Sequence, residues 1–582
     1  MASIEKYLTH ITQSAFSALG NLESHDTFGA VHLSDRPDLS DYQCNGALSF
    51  GKKHRKNPRD VAENLQKYLI KHLPEIEISV AGPGFLNFKL SENFLISFLE
   101  NSPLQEVSQS EKTVVLDYGG PNVAKPMHVG HLRSSIIGES LKRLCQYKGY
   151  RTISDIHLGD WGTQMGMLII ALKNKHPDWV YFDETFEGDY LDESPVSLEN
   201  LQEIYPKISA ACKENPDLSS EAREATYELQ QGRAGYRALW QHFVDISIAD
   251  MKKNFEKLDV SFDQWFGESR YQEKIPELIK SFENRGVVEK SQGALIVNVE
   301  EESDKKEMPP LILQKSDGGF LYATTDLATL DERVKMFKAD HIIYVVDGRQ
   351  RLHFQQVFRA AKKMGYDVKT DFIGFGTMNG SDNKPFKTRS GGVMRLEDLI
   401  ENLTGEALKK MKETSASQEI SDKEKKEIAE KIGIAALKFA DLQHNPVQNY
   451  QFDLKKFMSF EGKTGPYLLY AVVRMTSILK KAKSEAKDFK NKNLLPQERE
   501  VFLKSLQAED FFDRAFDALS PHILCDYAFS LAQSFSRFYQ ACPILSEEDL
   551  DKRETRIFLC AQVLEKLKIT LNLLGITPVS KM

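Results

Sequence analysis

Cysteine is scarce in this chain: six in 582 residues, with no C-x-x-C pair. Cys44, Cys145, Cys212, Cys525, Cys542 and Cys560 are scattered, which argues against a zinc site or a disulfide framework and fits the reducing cytosol. Long apolar runs are also missing. No stretch of 18 apolar residues occurs, so no membrane span is expected. The opening MASIEKYLTHITQSAF reads as an amphipathic helix and lacks the apolar core and cleavage site of a secretory signal. There is no internal repeat and no low-complexity segment. An excess of positive charge is absent too, the formal net charge being −8. That does not advertise a nucleic-acid binder, although a large RNA enzyme can be acidic overall and basic on one face.

At 582 residues the chain is too long for one core, and about 150 residues per domain predicts three or four domains. Residues 1–108 alternate helical and strand patterns, an α+β domain. Helices are expected near Ile4–Leu19 and Pro58–Leu73, and IEISVAGPGFLNFKL reads as two strands joined by a Gly-Pro-Gly turn. The polar SPLQEVSQSEK stretch is a linker. In residues 109–395 the apolar runs TVVLD, RTISDI, HIIYVV and DFIGFG alternate with helical periods at Leu132–Tyr147, Asp326–Phe337 and Leu352–Lys363. Such alternation predicts an α/β fold with a Rossmann-like, doubly wound parallel sheet. A run of charged amphipathic helices at about 179–290 interrupts it as an insertion. Residues 396–454 read as a helical connector that includes the charged KKMKETSASQEISDKEKKEIAEK, and 455–582 as an all-α helix bundle.

The densest chemistry lies in VVLDYGGPNVAKPMHVGHLRSSIIGESLKRL, from Val114 to Leu144. A β-branched run ends at Asp117, a Gly/Pro loop follows, and His128 and His131 flank Gly130 where a helical pattern begins. Free backbone N–H groups and the helix dipole favour an anion at such a junction. The imidazoles add donors, and Gly130 lets a ligand approach the backbone. The arrangement suits an enzyme that binds ATP and works at its α-phosphate.

The H-x-G-H tract looks like the HIGH signature of class I aminoacyl-tRNA synthetases, and the wider sequence resembles the arginyl-tRNA synthetase family. HLGDWGTQMG, YATTDLA, YVVDGRQRLHFQQVF, KPFKTRSGG, FEGKTGPYLLYAVVR and CDYAFSLAQSFSRFYQACPIL occur in family order. With AGPGFLNFKL they cover essentially the whole chain. The resemblance implies ATP-driven activation of L-arginine and its transfer to the 3′-terminal ribose of tRNA(Arg), beginning at the 2′-hydroxyl. It also implies Mg²⁺ with the ATP, no zinc, no other metal site, a monomer, and activation that depends on bound tRNA.

Residue by residue, the resemblance places His128, Gly130 and His131 at ATP. KPFKTRSGG stands where the family's lysine-bearing phosphate loop belongs, with Lys384, Lys387 and Arg389 as its cations. The second signature lysine of that loop is missing, and Lys125, just ahead of the histidines, stands where a compensating lysine is found. Asp117, Asn122, Tyr322, Asp326 and Gln350 fall in the arginine pocket. Asp117 replaces a glutamate there, and Asp326 also reads as a helix N-cap from the sequence alone. HLGDWGTQMG is as well suited to packing as to ligand contact, and His353 falls near the nucleotide.

By the same resemblance residues 1–108 touch the tRNA elbow and 455–582 form a DALR-type anticodon-binding bundle. The basic tracts GKKHRKNPR and KKAKSEAKDFKNKN, with Tyr467, Tyr470, Arg474, Phe538 and Tyr539, are candidate RNA surfaces. Another H-x-G-H nucleotidyltransferase would be far shorter, and a non-enzymatic tRNA-binding relative would be expected to have lost some of these histidines, cations or Asp326.

Overall fold

The computed structural model describes residues 3–20, 27–101, 109–380, 382, 384, 394–412, 421–482 and 489–582. They fall into two compact units, one made of 1–108, 460–573 and 577–582, the other of 109–459 and 574–576.

In the first unit an antiparallel sheet runs in the order Val31–Leu33, Tyr42–Cys44, Phe85–Leu90, Ile76–Ala81. Ile76 and Ile78 turn inward while Glu77 and Ser79 face water, the period-2 pattern of a half-buried strand. Helices Ile4–Leu19 and Pro58–His72 accompany this sheet, and among the described residues five helices from Gly465 to Leu573 form the bundle. Buried polar contacts join the two segments. Asp510 accepts from the Ser3 hydroxyl at 2.6 Å and the Tyr42 hydroxyl at 2.5 Å, and Arg499 pairs with Asp41 at 2.6 Å. Burial lifts the Asp510 carboxyl to about 6, and two hydroxyl donors offset its desolvation.

The second unit is built on a four-stranded parallel sheet in the order Lys369–Phe375, Ala339–Asp347, Thr113–Asp117, Arg151–Asp155. All four are the strands expected from the sequence. Thr113–Asp117 is buried throughout, as suits a central strand covered on both faces. The chain leaves it to one side for Arg151–Asp155 and returns on the other for Ala339–Asp347. The strand order therefore reverses beside Asp117, and sheets of this type bind ligands at that crevice.

The insertion contributes helices Leu198–Glu214, Pro216–Gln230 and Ala234–Lys257 around a core that includes Met165, Leu168, Leu239 and Phe243. An antiparallel sheet of Glu289–Ser291, Ala294–Val297 and Leu311–Gln314 follows. The sequence pattern did not predict it, because its strands are short and each residue of Glu289–Ser291 is exposed, leaving no alternation to read. Helices Leu396–Lys412 and Asp422–Leu442 pack together beyond the sheet; the charged residues 413–420 between them lie outside the described residues.

Helix Tyr322–Phe337 begins a turn earlier than its periodicity suggested, with Leu321 at its N-cap. The Thr324 hydroxyl donates to the Leu313 carbonyl at 2.6 Å and pins that first turn to the neighbouring strand. Asp326 is thus inside the helix rather than at its cap. Farther along, buried Arg333 donates at 2.7 Å to both Asp117 and Asp155, which sit side by side at the strand ends. This triad fixes the helix, and Asp326 with it, to the sheet. Replacing Arg333 with Leu leaves two buried carboxylates unpaired, and thermal or denaturant unfolding should show a loss of about 3–5 kcal/mol. An unchanged unfolding midpoint would remove the triad from this role.

Candidate active site

The start of helix Val129–Tyr147 is organised by its own histidines. His128 Nδ1 accepts from the Gly130 N–H at 3.0 Å, and His131 Nδ1 accepts from the His128 N–H at 3.2 Å, a reciprocal cap. The rings stack with centroids 3.9 Å apart. A Cβ on Gly130 would come within 2.8 Å of the His128 ring, so any larger residue there would push that ring out of the cap. Because both Nδ1 atoms accept, the hydrogen-bond pattern assigns both neutral rings a proton on Nε2. Burial lowers the pKa of both, and that of His131 falls to about 3, with the charges of His128 and Lys125 adding to the effect. At neutral pH the pair is therefore two uncharged Nε2–H donors beside a helix N-terminus.

These histidines line a cavity of about 370 Å³, together with Asp117–Gly120, Asn122, Ser134 and Val345–Asp347 at the sheet's crevice. A larger cavity of about 680 Å³ adjoins it. The two share Asp117, Gly120, Asn122, Val346 and Gln350. The larger also gathers Lys125, His157, Tyr205, Glu268, Tyr322, Asp326 and His353.

Of the residues singled out in the sequence, His128, Gly130 and His131 thus border the smaller cavity, and Lys125, Tyr322 and Asp326 the larger. Asp117, Asn122 and Gln350 border both. Lys384 lines neither; its carbonyl accepts from the Gly380 N–H at 2.8 Å. Lys387 and Arg389 lie outside the described residues. Downstream of them the backbone returns to the histidine cap: Leu396 N–H donates to Met127 at 3.0 Å and Val129 N–H to Met394 at 3.3 Å.

The larger cavity is acidic. Asp326 accepts from His353 Nε2 at 2.5 Å and lies 3.9 Å from His157 Nε2. Glu268 is a third acid that the sequence reading did not single out. It is placed by the HLGDWGTQMG tract. Asp160 accepts from the Ser269 N–H at 3.0 Å and hydroxyl at 2.6 Å, capping the 3₁₀ turn Glu268–Lys274. A Cβ on Gly267 would lie 2.1 Å from that carboxylate. Burial raises Glu268 to about 7; His157 opposes the shift, and Asp326 and Asp160 reinforce it. The same tract sets Asn122, whose Oδ1 would lie 2.3 Å from a Cβ on Gly159, while Gln164 donates to the Val123 and Gly159 carbonyls at 3.3 and 3.2 Å.

Chemically, one cavity offers neutral N–H donors at a helix start, as a phosphate chain needs. Its neighbour offers carboxylates, as a cation needs. In the bundle, the Arg474 guanidinium lies 5.4 Å from the Tyr470 ring centre and 4.8 Å from that of Tyr539, and both rings are exposed. Phe538 is fully buried, a core residue rather than an RNA surface. Residues 483–488 of the second basic tract lie outside the described residues.

Comparison with known proteins gives three family matches: the arginyl tRNA synthetase N terminal domain at residues 3–90, the tRNA synthetases class I (R) catalytic domain at 95–454, and the DALR anticodon binding domain at 468–582. The arginine–tRNA ligase of Alkaliphilus oremlandii is 45% identical over 567 residues, 95% of this chain and 96% of the relative. That of Hyphomonas neptunium is 44% identical over 594 residues, all of both chains. The crystal structure of arginyl-tRNA synthetase from Plasmodium falciparum superposes with a TM-score of 0.83 at 25% identity, covering both chains fully.

Proposed function

The chain belongs to the arginyl-tRNA synthetases of class I, and from that premise we propose how its residues divide the work of charging tRNA with arginine. The observation that carries the division is the pair of adjoining cavities, histidine-lined on one side and acidic on the other, with a shared wall.

In this reading ATP lies along the histidine cap. The carboxylate oxygen of arginine attacks the α-phosphorus, the bond to the bridging oxygen breaks, and pyrophosphate leaves. Negative charge grows on the phosphoryl oxygens and on the departing pyrophosphate. The Nε2–H groups of His128 and His131 and the ammonium of Lys125 stabilise it, with Lys384, Lys387 and Arg389 supplying further cations from their loop. Gly130 keeps the approach open. Magnesium enters on the ATP phosphates. The terminal ribose 2′-hydroxyl of tRNA(Arg) then attacks the arginyl carbonyl, the bond from that carbonyl to the phosphate oxygen breaks, and AMP leaves as the hydroxyl proton is released. Positioning and charge stabilisation carry both steps, without a protein nucleophile.

Arginine lies in the acidic cavity. Asp326 and Glu268 face its guanidinium, Tyr322 and Gln350 frame it, and Asn122 takes the amino-acid end. Asp117 accepts from Arg333 at Oδ2 and from the α-amino group at Oδ1. We assign residues 1–108 to the tRNA elbow, 109–395 to catalysis, 396–454 to a connector and 455–582 to the anticodon, with Tyr470, Arg474 and Tyr539 as its stacking face. The protein works as a cytoplasmic monomer. Aminoacylation of total tRNA with each of the twenty amino acids tests the reading: arginine alone should be charged, and charging of another amino acid in its place would reject it.

Glu268 gives arginine binding a pH dependence with a definite sign. Its carboxyl, lifted to about 7, is protonated below that value, whereas a guanidinium prefers the carboxylate. Binding therefore expels a proton, and affinity should fall as pH drops below 7, approaching tenfold per unit. His157 and His353 also face the cavity, so calorimetric titration of Glu268→Gln separates the contributions. The steep part of the slope should vanish in that variant, and an identical profile would exclude Glu268.

A further inference from the structure

The assignment of Lys125 to the phosphoryl charge leaves open what holds a flexible ammonium in place. Lys125 follows Ala124, a non-glycine residue with φ of +63°, in the left-handed region that a Cβ disfavours. The Ala124 N–H donates to the hydroxyl of Ser247 at 2.9 Å, and that hydroxyl donates to the Phe243 carbonyl at 2.6 Å. Val123 and Ala124 are buried in the core of the helical insertion. The insertion therefore sets the backbone from which Lys125 springs. It also meets the side chain: the Lys125 ammonium lies 4.7 Å from the ring centre of Tyr205, on helix Leu198–Glu214. Tyr205 packs against the same core and lines the larger cavity beside Lys125. The lysine's charge is felt at both His128 and His131.

We propose that the insertion positions the phosphate-side lysine, Tyr205 holding the Lys125 ammonium by its ring face and Ser247 fixing the backbone beneath it. Tyr205 is a positioning residue that acts through Lys125. An aromatic face attracts an ammonium without neutralising it, as a carboxylate would, so the full charge stays available to the phosphoryl oxygens. The inference rests on the role given to Lys125 above, and the test separates the two.

Arginine-dependent ATP–pyrophosphate exchange is measured, with tRNA present, for Tyr205→Leu, Tyr205→Phe, Lys125→Met and the Lys125→Met/Tyr205→Leu double variant. Tyr205→Leu should lower kcat roughly fivefold with the arginine KM unchanged, a cation–π contribution's worth. Tyr205→Phe, which keeps the ring face, should recover most of that loss. In the Lys125→Met background Tyr205→Leu should change kcat no further, because the group it positions is gone. A full fivefold loss in that background, or an equal loss in Tyr205→Phe, would show a general structural role and overturn the proposal. Wild-type kcat in Tyr205→Leu would overturn it as well. If Lys125→Met itself exchanges at the wild-type rate, the role of Lys125 fails first and this inference falls with it.

Discussion

Replacing Asp326 with Asn should cut kcat/KM for arginine by roughly 30- to 1,000-fold, the 2–4 kcal/mol expected when a charged partner in a desolvated pair is neutralised. Most of the loss should appear in the arginine KM, because the guanidinium is contacted equally before and during the reaction. The side chain is the same size, and asparagine keeps an oxygen for His353, which now lies 2.5 Å from the carboxylate. The change is therefore electrostatic rather than structural. It should also relax discrimination against citrulline, whose neutral urea replaces the guanidinium. Wild-type selectivity in the variant would take Asp326 out of the pocket.

Lys125→Met should act on the other half of the site. On the proposed assignment it removes a cation that stabilises the developing phosphoryl charge, and kcat for pyrophosphate exchange should fall roughly 100- to 1,000-fold. The dissociation constant for arginine should change little: Lys125 lines the larger cavity, but its positive charge acts toward His128 and His131 and does not attract a guanidinium. The two variants make opposite signatures: one in the arginine KM, the other in kcat. A Lys125→Met enzyme with full kcat would mean that the cations of the Lys384–Gly392 loop suffice alone.

The part of this chain legible in its sequence is the part whose chemistry is local. The four parallel strands declared themselves because short β-branched runs alternate with helical periods, and the His128–Gly130–His131 cap is written in four adjacent letters. The helix bearing Asp326 was visible but its start was not, because the tertiary bond from Thr324 to Leu313 sets the first turn. Glu268 was invisible for a related reason. It lies in a charged stretch without periodicity, and its place depends on Asp160, more than a hundred residues earlier in the chain. One signal was available: Gly267 directly before the acid, where only a missing Cβ allows that carboxylate to approach. The joining of residues 1–108 with the C-terminal bundle through Asp41–Arg499 and Tyr42–Asp510 spans more than 450 positions. Nothing in single-sequence patterning marks a pairing at that distance.

In the proposed arrangement adenosine triphosphate and arginine meet across the wall formed by Asp117, Gly120, Asn122, Val346 and Gln350. A crystal structure with a non-hydrolysable arginyl-adenylate analogue tests this most directly. The phosphoryl mimic should lie within hydrogen-bond distance of His128 or His131 Nε2, and the guanidinium against Asp326 and Glu268. An analogue bound with its guanidinium away from both acids, or its phosphoryl mimic away from both histidines, would contradict it.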